Sequence, residues 1–328
     1  MSGIHLTPLS VVLCTALTLF GCDESTGDGN TDLGTDGQSE DIAADQGGVD
    51  RSAEDQRSQD LGRQNDESSE EDVGGTDVVG TDAVSDQQAS LDLAPIACAD
   101  LPVCDSMEEQ TAGSAPSGTW SIVAPNCSGD GSVTVDGAVA HSGSQSLRVD
   151  GGSGYCNHVF AESSTALQDL AGDVVYVRFW VRFEEALGME HVTFLTMPES
   201  TQQKDLRMGG QSEVFSWNRE SDDATLPSLS PTGIGLSTAP TPGEWTCMEL
   251  MIDGSNGNLS ASVGGTPVEG LISDGTPTAD VDQAWLSQTV DWVPTVTALR
   301  IGWESYGSGS NTVWFDDLAI SSQPIGCQ

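Results

Sequence analysis

Residues 174–183 read Val-Val-Tyr-Val-Arg-Phe-Trp-Val-Arg-Phe, ten positions with no Gly, Pro, Asn or Asp. Side chains alternate between the two faces of a strand. Val175, Val177, Phe179, Val181 and Phe183 therefore share one wholly apolar face. Such a face is stable when a second sheet packs over it, about 10 Å away. The opposite face carries Val174, Tyr176, Arg178, Trp180 and Arg182. Residues 298–306 repeat the pattern, with Leu299, Ile301 and Trp303 on one side and Arg300, Glu304 and Tyr306 on the other. Helical periodicity is nearly absent. Further short alternating runs fall at 120–124, 132–136, 145–150, 156–161, 191–197, 213–218, 245–252, 259–263 and 313–320, split by Gly, Pro, Asn and Asp. About eleven short strands with Gly-rich turns predict an all-β fold, a two-sheet antiparallel jelly-roll sandwich.

Only residues 96–328 have the composition for this. All eight Trp, all three Tyr and six of the seven Phe lie there. Residues 23–95 hold 21 Asp or Glu, three Arg and no aromatic residue, rich in Thr-Asp and Asp-Gln units. Such a stretch buries too little apolar surface to offset its ordering entropy. Residues 22–95 thus read as a disordered, self-repelling acidic linker. An acidic calcium-binding repeat is disfavoured, because no Asp-x-Asp-x-Asp-Gly loop with a closing Glu occurs. The formal net charge of the chain is −41. Nucleic acid is excluded as a partner, since its recognition needs basic stripes.

The first 21 residues read as a signal peptide. The apolar run from Leu9 to Phe20 is too short to span a bilayer, which takes about 20 residues. Leu19-Phe20-Gly21-Cys22 resembles a bacterial lipoprotein signal, with Cys22 as the lipidated residue. Phe20 and an n-region without Lys or Arg depart from that pattern, and an ordinary secretory signal is the alternative. Both readings export the chain. The lipoprotein reading makes it a membrane-anchored cell-envelope protein, on the outer membrane or cell surface, that meets the membrane through its lipid alone.

Six cysteines follow Cys22: Cys98, Cys104, Cys127, Cys156, Cys247 and Cys327. An even number in an exported chain reads as disulfides. Six cysteines allow 15 connectivities. The expected set is Cys98–Cys104, Cys127–Cys156 and Cys247–Cys327, the last tying the chain end to a core strand. A zinc site is disfavoured, because there is no Cys-x-x-Cys and only His141, His158 and His191 follow the signal.

The polar faces of the two long strands suit a sugar. Aromatic rings offer flat apolar surfaces, and Arg offers planar, fixed donors for hydroxyls or carboxylates. Tyr176, Arg178, Trp180, Arg182, Arg300 and Glu304 are the candidate carbohydrate-binding residues, with Arg178, Trp180 and Arg300 expected on one concave face. A solvated sheet face with cross-strand Arg–Glu pairs is the competing reading.

Three motifs carry a family resemblance. Ala140–Val149 contains His-Ser-Gly-x-x-Ser-Leu-Arg-Val, residues 175–182 read Tyr-Val-Arg-Phe-Trp-Val-Arg after the first Val, and residues 314–320 contain Phe-Asp-Asp-Leu. In order and spacing they resemble the core domain named after a cellulose-induced fungal protein, a polysaccharide-lyase-like, concanavalin-like jelly roll. The resemblance covers about residues 105–325 and implies a fold shared with alginate and glucuronan lyases. It also implies a structural Ca²⁺ at Asp316 and Asp317. β-Elimination of a uronate needs a group to neutralise the carboxylate, a base for the C5 proton and an acid for the leaving oxygen. Related lyases use Arg with Gln or Asn, then Tyr or His, so the resemblance nominates Arg178, His191, Gln211, Arg300 and Tyr306. Such folds host binders as well as enzymes. A surface module that grips polysaccharide without cutting it, a uronate-specific lyase, and a non-catalytic adhesion or structural lipoprotein are the three readings, in that order. Hydrolysis would draw on Glu249 and Glu304, without the Glu-x-Asp-x-x-Glu string of laminarinase-type sandwiches.

Overall fold

The computed structural model describes residues 101–168, 170–287 and 291–327. The expected signal peptide, lipidation site at Cys22 and acidic linker lie outside the described residues. The described part is a two-sheet antiparallel sandwich with two helices of five and four residues. In chain order its strands are β1 (Val103–Asp105), β2 (Ser121–Val123), β3 (Ser132–Asp136), β4 (Ser146–Gly151), β5 (Asn157–Ser163) and β6 (Val174–Phe183). Then come β7 (Val192–Glu199), β8 (Lys204–Gln211), β9 (Val214–Arg219), β10 (Ala224–Leu226) and β11 (Trp245–Asp253). The last four are β12 (Leu259–Val263), β13 (Thr266–Pro267), β14 (Leu299–Ser305) and β15 (Asn311–Ser321).

The first sheet has the order β13-β12-β11-β6-β15-β4-β3, with β1 also paired to β15. The second has the order β10-β9-β8-β7-β14-β5-β2. The two long alternating strands belong to different sheets. The β6 face of Val175, Val177, Phe179, Val181 and Phe183 is buried, as its alternation predicts. Phe194 of the second sheet meets it, with ring centroids 5.2 Å from Phe183 and 6.5 Å from Phe179. Phe215 and Phe315 extend the same aromatic layer. From β14, Leu299, Ile301 and Trp303 face inward, and Trp303 Nε1 donates to the Gly152 carbonyl at 3.1 Å. That bond removes the cost of burying the indole N–H.

Two of the expected disulfides are present, Cys127–Cys156 and Cys247–Cys327. Cys104 is also disulfide-bonded, and its expected partner Cys98 lies outside the described residues. No helix among the described residues is long and apolar enough to cross a membrane.

The Phe-Asp-Asp-Leu motif marks a break in β15. Register against β6 shifts between Asp316 and Ala319, and Asp317 takes φ +47°. The His-Ser-Gly turn folds over this bulge. Asp316 Oδ2 accepts from His141 N at 2.7 Å and Ser142 N at 3.2 Å, and its Oδ1 accepts from Asp317 N at 2.8 Å. Asp317 meets His141 Nδ1 at 2.7 Å and accepts from Ser142 Oγ at 2.8 Å. Burial raises the Asp316 pKa to about 6 against the pull of these N–H donors. Two motifs far apart in sequence are thus one clamp over the bulge of β15.

Candidate functional site

The outer face of the first sheet is largely filled by its own side chains. His141 stacks on Trp180 with centroids 3.7 Å apart, and Trp245 meets His141 edge-on at 5.8 Å. The Arg182 guanidinium lies 4.7 Å from the Trp314 ring centre, and its Nε donates to the Gly243 carbonyl. Glu249 Oε2 accepts from the backbone of Ile325 and Gly326 in the C-terminal segment, so it is tied to structure rather than offered as a catalytic carboxylate. Arg178 is half-buried with its Nε unpaired, and desolvation lowers its pKa. The expectation that Arg178 and Trp180 share one face with Arg300 is overturned, since β6 and β14 lie in opposite sheets. In a sandwich the polar faces of two such strands point away from each other. The candidate set splits accordingly: Tyr176, Arg178, Trp180 and Arg182 on the first sheet, Arg300 and Glu304 on the second. For the same reason Arg178 cannot act with His191 and Tyr306.

The outer face of the second sheet is built differently. Cross-strand register aligns Arg300 of β14, Thr196 of β7, Arg207 of β8 and Asn218 of β9 in one row. A neighbouring row carries Glu304 beside His158 of β5 and Thr193 of β7, continued by Gly209 and Ser216. His158, Thr193, Thr196, Arg207, Ser216, Asn218 and Glu304 are all buried. This is a polar layer where an outward sheet face would ordinarily be solvated.

Arg207 is its centre. Its Nη2 donates to the Tyr306 hydroxyl at 2.9 Å and its Nη1 to Asn218 Oδ1 at 3.2 Å. Its Nε lies 3.1 Å from Glu304 Oε1, close but too poorly aligned to count as a hydrogen bond. Tyr306 in turn donates to Glu304. Burial, then the Glu304 charge, push the phenol pKa up, so Tyr306 stays protonated across the physiological range. Burial likewise raises the Glu304 pKa, with Arg207 opposing it.

Two imidazoles flank the phenol. His191 stacks on Tyr306 at 5.2 Å, and its Nε2 has no hydrogen-bond partner. Burial, aided by the Arg207 charge, lowers its pKa to about 4, so it is neutral near pH 7. His158 packs edge-on to Tyr306 at 5.6 Å and donates Nδ1–H to the Pro125 carbonyl at 2.6 Å. That tautomer leaves a lone pair on its buried, unpaired Nε2. Thr193 Oγ1 and Ser216 Oγ are buried and unpaired as well. Buried polar atoms normally find partners, so unpaired atoms gathered in one layer set this face apart from an ordinary core.

Of the nominated catalytic residues, the fold brings His191 and Tyr306 together and places Arg300 along the same face. Arg300 is bound by Glu162 Oε2 at 2.7 Å and Asp205 Oδ2 at 2.8 Å. Gln211 alternates onto the Arg207 face at the far end of β8, in the hairpin to β9. Arg207 and Asn218 were not among the residues nominated from sequence. Their one local signal is Leu206-Arg207-Met208, a polar position between two core residues. Asp316 accepts from three backbone N–H groups, and Asp317 is met by His141 and Ser142, so both carboxylates named for Ca²⁺ already have protein partners. Asp317 and the Ser142 hydroxyl are hard oxygen donors of the kind Ca²⁺ takes. Cys127, Cys156 and His158 form the one group of three potential ligand atoms within 4.8 Å among the described residues, and the two sulfurs are already a disulfide.

Comparison with known proteins agrees with this architecture. No curated protein matches the chain. The solved structure of a cellulose induced protein, Cip1, is 39% identical, covers 69% of this chain and 100% of its own, and superposes with a TM-score of 0.62. A glucuronan lyase from the fungus Trichoderma reesei matches at 14% identity and TM-score 0.42, over 68% of this chain and 96% of its own. The CBM22-1 xylan-binding domain of Paenibacillus barcinonensis Xyn10C matches at 13% and 0.33, over 70% and 97%. Residues 107–323 match the family model described as Cip1-like, core domain, of the polysaccharide-lyase-like group. The chain belongs to this Cip1-like, polysaccharide-lyase-like family.

Proposed function

We propose that the outer face of the second sheet binds polysaccharide and cleaves it at a uronate by β-elimination. The observation that carries the reading is the buried Arg207–Tyr306–His191 cluster with its unpaired polar atoms. Arg207, steadied by the Asn218 amide oxygen, offsets the carboxylate charge and stabilises the enolate-like anion. Neutral His191 accepts the C5 proton on its free Nε2. The C4–O bond breaks as the double bond forms between C4 and C5, and Tyr306 gives its phenolic proton to the departing oxygen. Glu304 holds the phenol in place. Binding without cutting is the second reading, favoured by the ion pair that already shares the Arg207 charge with Glu304.

Incubating the purified protein with polyuronates and with neutral glucans separates the two. Cleavage raises the absorbance of new unsaturated ends; retention on a glycan column without that rise means binding alone. Tyr306→Phe keeps the ring stack and loses only the hydroxyl. It is expected to cut turnover at least 100-fold with retention unchanged. Turnover equal to wild type would remove Tyr306 as the acid.

Around this core we propose lipid anchoring at Cys22 and a structural Ca²⁺ held through Asp317. Labelled fatty acid should enter the wild-type chain and not Cys22→Ala. Added Ca²⁺ should raise the unfolding temperature of the wild type but not of Asp317→Asn.

A further inference from the structure

The charges along the second sheet limit which glycan the site accepts. Arg207 and Arg300 are the cations within the two rows, and each is already paired. Beside Arg207 lies the subsite of Arg300, two residues along β8 at Asp205, roughly 7 Å away. There Glu162 and Asp205 face the single charge of Arg300 at 2.7 and 2.8 Å. With both carboxylates ionised, that subsite carries a net charge of about −1. Glu220, 3.4 Å from Arg207 Nη2 and from Lys204 Nζ, adds another carboxylate at the same edge. The whole chain, at −41, repels polyanions at long range.

Resting on the reading of this face as a uronate-cleaving site, we infer that its substrate is a charge-sparse glycan, in which the cleaved uronate is flanked by neutral sugars. A second carboxylate in the Arg300 subsite would meet Glu162 and Asp205. Neutral hydroxyls there find acceptors in both carboxylates and donors in the guanidinium.

The test is a polyuronate of one backbone at graded charge, with none, about half, most or all of its carboxyls chemically reduced to alcohols. Affinity for the full chain and release of unsaturated ends are measured on each, at low salt. The expected optimum lies at the sparsely carboxylated polymer, with loss at full reduction. Tightest binding and fastest release on the fully carboxylated polymer would overturn the inference while leaving the site intact. Failure to bind at every charge density would overturn the site itself, and the inference with it. Asp205→Asn is expected to improve affinity for the fully carboxylated polymer roughly five-fold, the effect of removing one repelling charge. No improvement in this variant, folded by its unfolding temperature, would mean that subsite charge does not set the selection.

Discussion

At the scale of single residues, His191 has consequences beyond its proposed role. Its pKa is about 4 in the folded protein, against about 6.5 in an unfolded chain. Between those values the unfolded state binds more protons than the native state, so stability falls as the pH drops from about 6.5 to about 4. The difference of about 2.5 pH units corresponds to about 3 kcal/mol. His191→Phe keeps a ring against Tyr306 and removes the titration. Urea unfolding at pH 7.5 and pH 4.5 should show that part of the acid loss absent from the variant. An identical acid loss in both proteins would show that His191 is not held neutral. Asp316 acts in the opposite direction. Its pKa, raised to about 6, contributes stability at low pH that is lost as the pH rises from about 4 through 6.

At the scale of elements, β8 decides the site. It supplies Asp205 and Arg207 outward and Leu206 and Met208 inward. Gly209 then lets it approach β7 at the bulge between Thr193 and Leu195. A Cβ on Gly209 would stand 1.9 Å from the Val192 carbonyl oxygen and 2.9 Å from Thr193 Cα, both backbone atoms that cannot swing aside. Gly209→Ala should therefore push β7 from β8 and cost about 1–3 kcal/mol, the range for overpacking. A smaller effect in thermal or urea unfolding would mean that the bulge yields freely. β8 was also missed as a strand in sequence, for a physical reason. Its run Lys-Asp-Leu-Arg-Met-Gly-Gly-Gln has two core residues and two glycines, too few apolar positions for period two to stand out. β6 and β12 were read to the residue, because their alternation is long or cleanly bounded by turn residues.

At the scale of the whole molecule, the C-terminal segment closes on the first sheet through the Cys247–Cys327 disulfide, which spans 80 residues. Glu249 reinforces it by accepting from Ile325 and Gly326. Cross-linking a loop of that length restricts the unfolded chain, and losing such a link costs about 2–5 kcal/mol. The double variant Cys247→Ala, Cys327→Ala should lose stability in that range. It should keep the site on the second sheet, whose residues belong to other strands. Loss of glycan retention in the folded double variant would instead couple the two sheets.

The chain's alternation by itself determined the class of fold, the inward faces of β6 and β14, and the aromatic content of the core. Face assignment within a strand is a local property, set by a period of two. Motif order was enough to point to the family. Only the tertiary structure decided which polar faces look the same way. Sheet membership depends on long-range pairing, which neither strand encodes, and it separated Arg178 from Arg300. The same pairing set Arg207 from the β8–β9 hairpin beside Tyr306, 99 positions along the chain. A buried, unpaired side chain has no signature in a sequence, because burial is a property of its neighbours.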